Sequence, residues 1–166
     1  MPTLLPHGVA VWLVLGMVGG DWENAAAQGD LCALLTEAEA EAILGKPLAA
    51  PESKPGGDCW YPEEAGGIGG GEIMLHVLPV QFDSKEKFHA FLVEEHRKTD
   101  EKLKKRLARI GATIKETVVE PVPEVGEPAY YADPTLFVLK GKKVLQIVAS
   151  RPQAVQVAAK ALPRYK

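Results

Sequence analysis

The sequence has few of the residues on which catalysis and metal binding depend. Its 166 residues include four histidines and two cysteines, and neither an HExxH nor an HxxEH motif occurs. His89 and His96 lie seven residues apart in a predicted helix, about 10 Å by helical rise, which is too far for one metal ion unless another element completes the site. No serine lies in a GxSxG motif. We therefore predict no catalytic residue, no metal and no cofactor.

The chain also lacks a large excess of either charge. It carries 19 basic and 22 acidic side chains, for a net charge of −3 at pH 7. Basic side chains are not interleaved with aromatic ones, as they are in proteins that stack on single-stranded bases. A nearly neutral chain has no general affinity for polyanions. We predict that nucleic acid is not a partner.

Glycine is plentiful, but its pattern lacks the features of a phosphate loop. Residues 66–77 read GGIGGGEIMLHV, and Glu72 stands where the third glycine of a GxGxxG motif belongs. Residues 72–80 then alternate with the period of a strand, whereas a phosphate loop leads into a helix. We interpret the glycines as a hairpin connection between two strands.

No apolar run is long enough to cross a membrane. The longest, residues 9–18, has about ten residues, the length of the apolar region of a secretory signal. Three alanines at 25–27 form a small-residue cleavage site, although no Lys or Arg precedes the run. We predict a signal peptide at 1–27 and a single exported domain at 28–166, secreted or periplasmic. The alternative is a buried helix or strand at the start of the domain.

Two cysteines, an even number in a chain predicted to be exported, indicate a disulfide between Cys32 and Cys59. Lipidation of Cys32 and a metal-binding pair are the alternatives. The residue before Cys32 is Leu31, whereas a lipobox has a small residue there, and no CxxC motif or nearby histidine supports a metal site.

Local signals predict an α+β fold in the element order α-β-β-α-β-β-β-α, with helices packed on an antiparallel sheet. Thr36 and Glu39 form a capping box for a helix over 37–44 that ends at Gly45. After a Pro/Gly loop at 49–58, the strand-like stretch CWYP at 59–62 and the strand at 72–80, a helix follows from Ser84 to at least Arg97. The remaining predicted elements are a second helix over 100–109 or one long helix, a strand at 112–120, a proline-broken passage at 121–131 into a second strand, a hairpin over 136–150 and a helix over 152–162.

The side-chain pattern also predicts which residues face the core. In the helical segment, Leu103, Leu107 and Ile110 are expected to point inward. In the hairpin, which turns at Gly141 and Lys142, one face is expected to carry the residues Leu136, Val138, Val144 and Val148. The other face is expected to carry Phe137, Leu139, Leu145 and Ile147.

Three separate stretches are informative in combination: CALLTEAEAEAILG at 32–45, CWYP around Cys59, and VGEPAYY at 125–131 followed by the LFVLKGKKVLQI hairpin. Together they resemble a family of small bacterial secreted proteins and lipoproteins of unknown function, typified by actinobacterial lipoproteins. The resemblance implies export, a Cys32–Cys59 disulfide and an α+β fold. It implies no catalytic residue.

Two groups of residues are candidate binding surfaces. The segment from Arg97 to Arg109 is rich in Lys and Arg and offers Lys104, Lys105 and Arg106 to an anionic lipid, wall polymer or acidic protein. The aromatic candidates are Trp60, Tyr130 and Tyr131, with core packing as the alternative. We predict a non-enzymatic exported domain that binds another protein or an envelope component. The alternative is a small-molecule carrier or hydrolase with a cleft beside the glycine-rich loop.

Overall fold

A seven-stranded antiparallel sheet organises the fold, in a computed structural model that describes residues 30–64 and 73–166. The strands are β1 Glu52–Ser53, β2 Cys59–Tyr61, β3 Ile73–Gln81, β4 Glu120–Pro121, β5 Ala129–Ala132, β6 Thr135–Lys140 and β7 Lys143–Val148. The helices are α1 Glu37–Leu44, α2 Lys85–Leu107 and α3 Arg151–Ala161. The predicted α+β class is confirmed. The predicted signal peptide, 1–27, and residues 65–72 of the glycine-rich stretch lie outside the described residues.

The strands follow the spatial order β1-β2-β3-β7-β6-β5-β4, and every neighbouring pair is antiparallel. The two edge strands, β1 and β4, are short. Strand β1 lies inside the stretch 49–58 that we expected to be a loop, and β4 keeps only the last residue of the strand predicted at 112–120. The observed order is α-β-β-β-α-β-β-β-β-α.

One face of the sheet carries the larger core, under α1 and α3. Strand β3 alternates as predicted, so that Ile73, Leu75 and Val77 are buried on this face while Met74 and His76 are half-buried on the other. Helix α3 buries Ala154, Val157, Ala158 and Ala161. The three alanines among them let the helix lie close to the sheet.

The second face carries a smaller core, under the first half of α2. Phe88 and Leu92 of the helix pack in a cluster with Phe137, Leu139 and Val144 of the sheet. Further ring contacts join Phe82 to Phe88 at 5.3 Å and Phe88 to Tyr130 at 5.5 Å between centroids. Both faces of the central strands are therefore apolar, whereas a sheet with one solvated face alternates apolar and polar residues.

The β6–β7 hairpin turns at Gly141 and Lys142 as predicted, but the expected assignment of β7 to the two faces was wrong. Leu136 pairs with Ile147 and Val138 with Leu145, and these four residues share the α1/α3 face. In this hairpin, which has a two-residue loop, the two residue numbers of each cross-strand pair add up to an odd number. Each even-numbered residue of β6 therefore pairs with an odd-numbered residue of β7 and shares its face of the sheet. We had expected the even-numbered residues of both strands to share one face, which corresponds to a register shifted by one residue.

Residues 112–119 do not form the strand that their β-branched composition predicts. Only Glu120–Pro121 pairs with the sheet, as β4. The preceding residues lie along the second half of α2, where Asp100 accepts hydrogen bonds from the backbone N–H and the hydroxyl of Thr117, at 2.7 and 2.9 Å. These bonds to a helix side chain replace the ladder bonds that a strand would make.

The ends of the helices follow the predicted signals. Thr36 and Glu39 form the capping box of α1, and Gly45 ends it in the left-handed conformation at φ 70°. Ser84 caps α2, which is one helix of 23 residues rather than two. After a 3-10 turn, Ala108–Ile110, the Ala112 amide donates to the Leu107 carbonyl at 3.1 Å, which is the long bond of a Schellman motif at Gly111.

The predicted disulfide is present and joins Cys32, in the 3-10 turn Leu31–Ala33, to Cys59 of β2. Two polar contacts hold the same region to the domain. The Tyr61 hydroxyl donates to the Leu35 carbonyl at 2.6 Å, and the Arg164 guanidinium donates to the Leu34 carbonyl at 3.0 Å. The start of the described chain is thus fixed to both the sheet and the segment that follows α3.

Candidate functional site

A stripe of basic side chains lies along the last turns of α2 and the 3-10 turn that follows it. Lys102, Lys105 and Arg106 occur at positions i, i+3 and i+4 of the helix, a spacing that places them on one side, and Arg109 follows in the 3-10 turn. From residue 102 to residue 109 the chain has five basic residues and no acidic one. No described carboxylate lies within ion-pair distance of the four stripe residues. Their charge therefore faces solvent.

Other basic side chains of this segment are paired within the domain. Arg97 donates two hydrogen bonds of 2.8 Å to Glu94 and also contacts Glu101. Lys104 contacts Glu116, and this hydrogen bond raises the pKa of Lys104. Of the three predicted basic candidates, Lys105 and Arg106 belong to the unpaired stripe. Lys104 instead connects the helix to the segment 112–119.

Exposed large apolar side chains lie beside this stripe. Leu103, Ile110 and Val118 are 40, 76 and 58 % exposed and belong to the last turns of α2 or to the chain that follows it, whereas Val93, 44 % exposed, lies in the first half of α2. We expected Leu103 and Ile110 to point into the core, and that expectation was wrong. The helical period was identified correctly. The apolar side of α2, however, continues beyond the part of the helix that packs on the sheet, so its last apolar side chains are exposed.

Asp100 fixes the position of the segment 112–119 against the helix. It is 8 % exposed, and its carboxylate accepts both bonds from Thr117. The bond from the Thr117 backbone amide is the main cause that lowers the pKa of Asp100, because it stabilises the charged form. Glu116 and Val118, on either side of Thr117, are held beside the helix by the same contact. We call the surface of residues 102–118 the α2 patch.

The aromatic candidates occupy the two faces of the sheet. Tyr131 is buried, and its hydroxyl contacts Asp133 at 3.0 Å and the Ala149 carbonyl at 3.3 Å. Its neighbour Tyr130 is half-buried on the opposite face, where it stacks on His89 at 4.7 Å between ring centroids. The structure therefore places Tyr131 in the core and Tyr130 in the contact between α2 and the sheet.

Trp60 lies near the β1 edge of the sheet, away from α2. It is half-buried, and the Lys54 ammonium lies 4.2 Å from the centroid of its ring. On the neighbouring strand, His76 Nδ1 contacts the Asp58 carboxylate. This surface is separated along the sheet from the aromatic contacts of Tyr130. The structure does not bring the predicted aromatic residues together into one site.

The histidines make contacts of the kind that packing produces. His89 stacks on Tyr130, and His96 meets the edge of Phe137 at 5.8 Å between centroids. Burial lowers the pKa of His96, because the protonated ring loses solvation. Among residues 30–64 and 73–166, no group of three or more His, Cys, Asp or Glu side chains is placed to hold a metal ion.

A cavity of about 840 Å³ lies at the end of the domain where the chain segments before α1 and after α3 meet. Its lining combines apolar side chains with three basic residues and one acidic residue. The lining residues are Asp30, Leu31, Ala33, Leu34, Val77, Lys143, Pro163, Arg164, Tyr165 and Lys166. Sequence analysis gave a cleft beside the glycine-rich loop as the alternative, whereas this cavity involves Val77, in the middle of β3, and no residue of β2. It was missed because its walls come from four distant parts of the chain.

Comparisons with known proteins do not assign the domain to a class, and its helices do not either. No family model, curated protein or solved structure matches the chain. In the described part of the chain, no helix is both long and apolar enough to cross a membrane. The α2 patch and the cavity are the two features of the domain from which a function can be inferred.

Proposed function

We propose that the chain is an exported, non-enzymatic domain that attaches to an anionic lipid surface through the α2 patch. The observation that carries the proposal is the combination of unpaired cations and exposed apolar side chains at one end of α2. Lys102, Lys105, Arg106 and Arg109 supply the charge, and Leu103 and Ile110 supply the apolar surface. A basic amphipathic helix of this kind lies in the plane of a membrane interface.

The geometry favours lipid over an acidic protein because the exposed apolar residues lie next to the cations. Long Lys and Arg side chains extend their charges to the headgroups while the neighbouring apolar groups enter the acyl boundary. A single basic residue near an anionic surface contributes about 1 kcal/mol. Four such residues and burial of Ile110 with part of Leu103 together give about 7 kcal/mol, an affinity on the order of 10 μM.

Two further observations support export. A disulfide between Cys32 and Cys59 is typical of proteins that fold in an oxidising compartment. Residues 9–18 and the alanines at 25–27 have the pattern of a signal peptide that ends at residue 27. The resemblance to small bacterial secreted proteins agrees with the same location and remains a prediction.

The test is co-sedimentation with vesicles of phosphatidylcholine containing about one third phosphatidylglycerol. The domain from Gln28 onward should sediment with these vesicles at low salt and remain in solution with pure phosphatidylcholine. Changing Lys102, Lys105 and Arg106 to Gln removes about 3 kcal/mol and should weaken binding about 100-fold. High salt should have a similar effect, because the Debye length falls from about 8 Å at physiological salt to about 3 Å at 1 M.

The matched control changes Lys85, Lys87 and Lys160 to Gln, which alters the net charge equally at exposed sites outside the patch. It should bind vesicles almost as well as the unmodified protein. Ile110→Ser tests the apolar contribution and should weaken binding at least tenfold, since burial of an isoleucine contributes about 2 kcal/mol. Equal losses in the control and patch variants would contradict the proposal. Retention on poly-glutamate without vesicle binding would assign the patch to an acidic protein.

A further inference from the structure

The chain between α2 and β4 begins with an open turn. Residues 108–113 are all exposed, and Ile110 within them is 76 % exposed. The backbone hydrogen bonds donated by the amides of Gly111 and Ala112 are 3.3 and 3.1 Å long and hold the turn. A protease must draw its substrate into an extended conformation, so exposed loop tips of this kind are preferred sites of cleavage.

The peptide bond from Arg109 to Ile110 lies in this turn and has the form that trypsin-like proteases cleave. These enzymes receive the basic side chain before the bond in a pocket with an acidic residue. No described carboxylate lies within ion-pair distance of Arg109. Its guanidinium is therefore available to such a pocket.

Basic residues at other turns and helix starts are protected from the same enzymes. Three of them are followed by proline, which lacks the amide proton and fixes the backbone, in the pairs Lys46–Pro47, Lys54–Pro55 and Arg151–Pro152. Lys142 lies in the two-residue turn that the β6–β7 ladder holds closed. Arg164 is bonded to Glu39 and precedes the buried Tyr165.

Neighbouring bonds of the basic segment are protected by the helix and by the Asp100 contact. Residues 102–106 lie inside α2, which must unwind locally before a protease can bind its backbone. Lys115 precedes Glu116, whose charge opposes the acidic pocket of the protease. The bonds from Thr117 to Asp100 fix the chain two residues beyond Lys115. The bond in the turn is therefore the basic bond that the described domain leaves open.

We propose that the Arg109–Ile110 bond is a regulatory cleavage site for an exported protease of trypsin-like specificity, and that cleavage releases the domain from the lipid surface. The inference rests on the proposed attachment through the α2 patch. Hydrolysis adds one water across the bond and leaves a carboxylate on Arg109 and an ammonium group on Ile110. The carboxylate places a negative charge next to Lys105 and Arg106, and the cut separates Ile110 from the stripe.

The rest of the fold survives a cut at this position. Strand β3 pairs with β7 over six residue pairs, and the two strands lie on opposite sides of the cut in the chain. Phe88 and Leu92, before the cut, share a core cluster with Phe137 and Leu139 after it. Cleavage therefore changes the α2 patch while the two fragments stay associated.

The test of the site is limited proteolysis of the disulfide-bonded domain with a small amount of trypsin, followed by mass spectrometry. We expect the first cut between Arg109 and Ile110, with both fragments eluting together under native conditions. Arg109→Gln should slow the first cut about tenfold or more, because the remaining basic bonds require local unfolding. The matched control, Lys142→Gln at another exposed turn, should leave its rate unchanged. A first cut elsewhere, or an unchanged rate in Arg109→Gln, would overturn the proposal.

Two vesicle experiments test the regulatory part. Vesicles that contain phosphatidylglycerol should slow the cut after Arg109, because the bound patch is covered, whereas pure phosphatidylcholine should not. The cleaved domain should bind the anionic vesicles about tenfold more weakly than the intact domain, as expected from loss of the Ile110 contact. Equal binding of the cleaved and intact domains would overturn the regulatory role.

Failure of the cleavage site and failure of the attachment are distinguishable, because the first cut is located without vesicles. A first cut elsewhere in a domain that sediments with anionic vesicles would overturn the cleavage site alone. A first cut after Arg109 in a domain that does not sediment would overturn the attachment and, with it, the release.

Discussion

Removal of the Cys32–Cys59 disulfide should lower the free energy of unfolding by an amount that the loop length determines. The two cysteines are separated by 27 residues. In the chain-entropy model, closure of such a loop restricts the unfolded chain by about 3.5 kcal/mol at 25 °C. Native domains are stable by about 5 to 15 kcal/mol, so this single bond supplies a large part of the total.

The two cysteines should not be equivalent, because their burial differs. Cys59 is fully buried in the larger core, whereas Cys32 is half-buried in the 3-10 turn Leu31–Ala33. Cys59→Ala therefore opens the loop and also leaves a small void, which costs about 1 kcal/mol of stability. Cys32→Ala mainly opens the loop. We expect losses of about 3.5 kcal/mol for Cys32→Ala and about 4.5 kcal/mol for Cys59→Ala.

Urea unfolding followed by circular dichroism measures these differences. The double variant should be less stable than Cys59→Ala by at most about 0.5 kcal/mol, because each single change already opens the same loop. Reduced, unmodified protein is the matched control and should resemble Cys32→Ala, with a larger m-value than the oxidised protein since its unfolded chain is more extended. Additive losses in the double variant, or a loss below about 1 kcal/mol, would refute the loop-closure reasoning.

Two further predictions concern polar contacts. Glu39→Gln should cost about 1 to 2 kcal/mol at neutral pH, because Glu39 accepts from Arg164 and completes the α1 capping box. The hydrogen bond with Arg164 is the main cause that lowers the pKa of Glu39 from 4.5 to about 2, so this stability is present above about pH 4.5 and lost as the pH falls towards 2. Thermal midpoints of the two proteins should therefore converge in acid, and a constant gap would contradict the assignment. Asp100→Ala should lower the free energy of unfolding by about 1 to 3 kcal/mol, because the two donors of Thr117 lose their acceptor. The same change should speed amide hydrogen exchange at Thr117. Unchanged exchange would show that other contacts hold residues 112–119.

Elements with local signals were predictable from the sequence. The capping box at Thr36, the glycine stop at Gly45 and the turn at Gly141 each depend on a few neighbouring residues, and all three are present. The Cys32–Cys59 bond followed from cysteine number in a chain with a signal-like start. The class α+β followed from the order of these elements, without knowledge of their packing.

Features that depend on distant contacts were not predictable. The β-branched composition of 112–119 favours a strand, but the bonds from Thr117 to Asp100 hold this segment beside α2. Helical periodicity predicted an inward side for Leu103 and Ile110 without indicating where the sheet beneath α2 ends. The cavity depends on segments before α1 and after α3 that meet only in the folded chain.

We propose above that residues 102–118 form the surface that contacts an anionic membrane. Hydrogen exchange followed by mass spectrometry, with and without vesicles containing phosphatidylglycerol, locates the contact directly. We predict slower exchange in peptides that cover 102–118 and unchanged exchange in peptides around Trp60 and Tyr165. Unchanged exchange in 102–118 while the protein is bound to vesicles, or protection confined to the strands around Trp60, would contradict it.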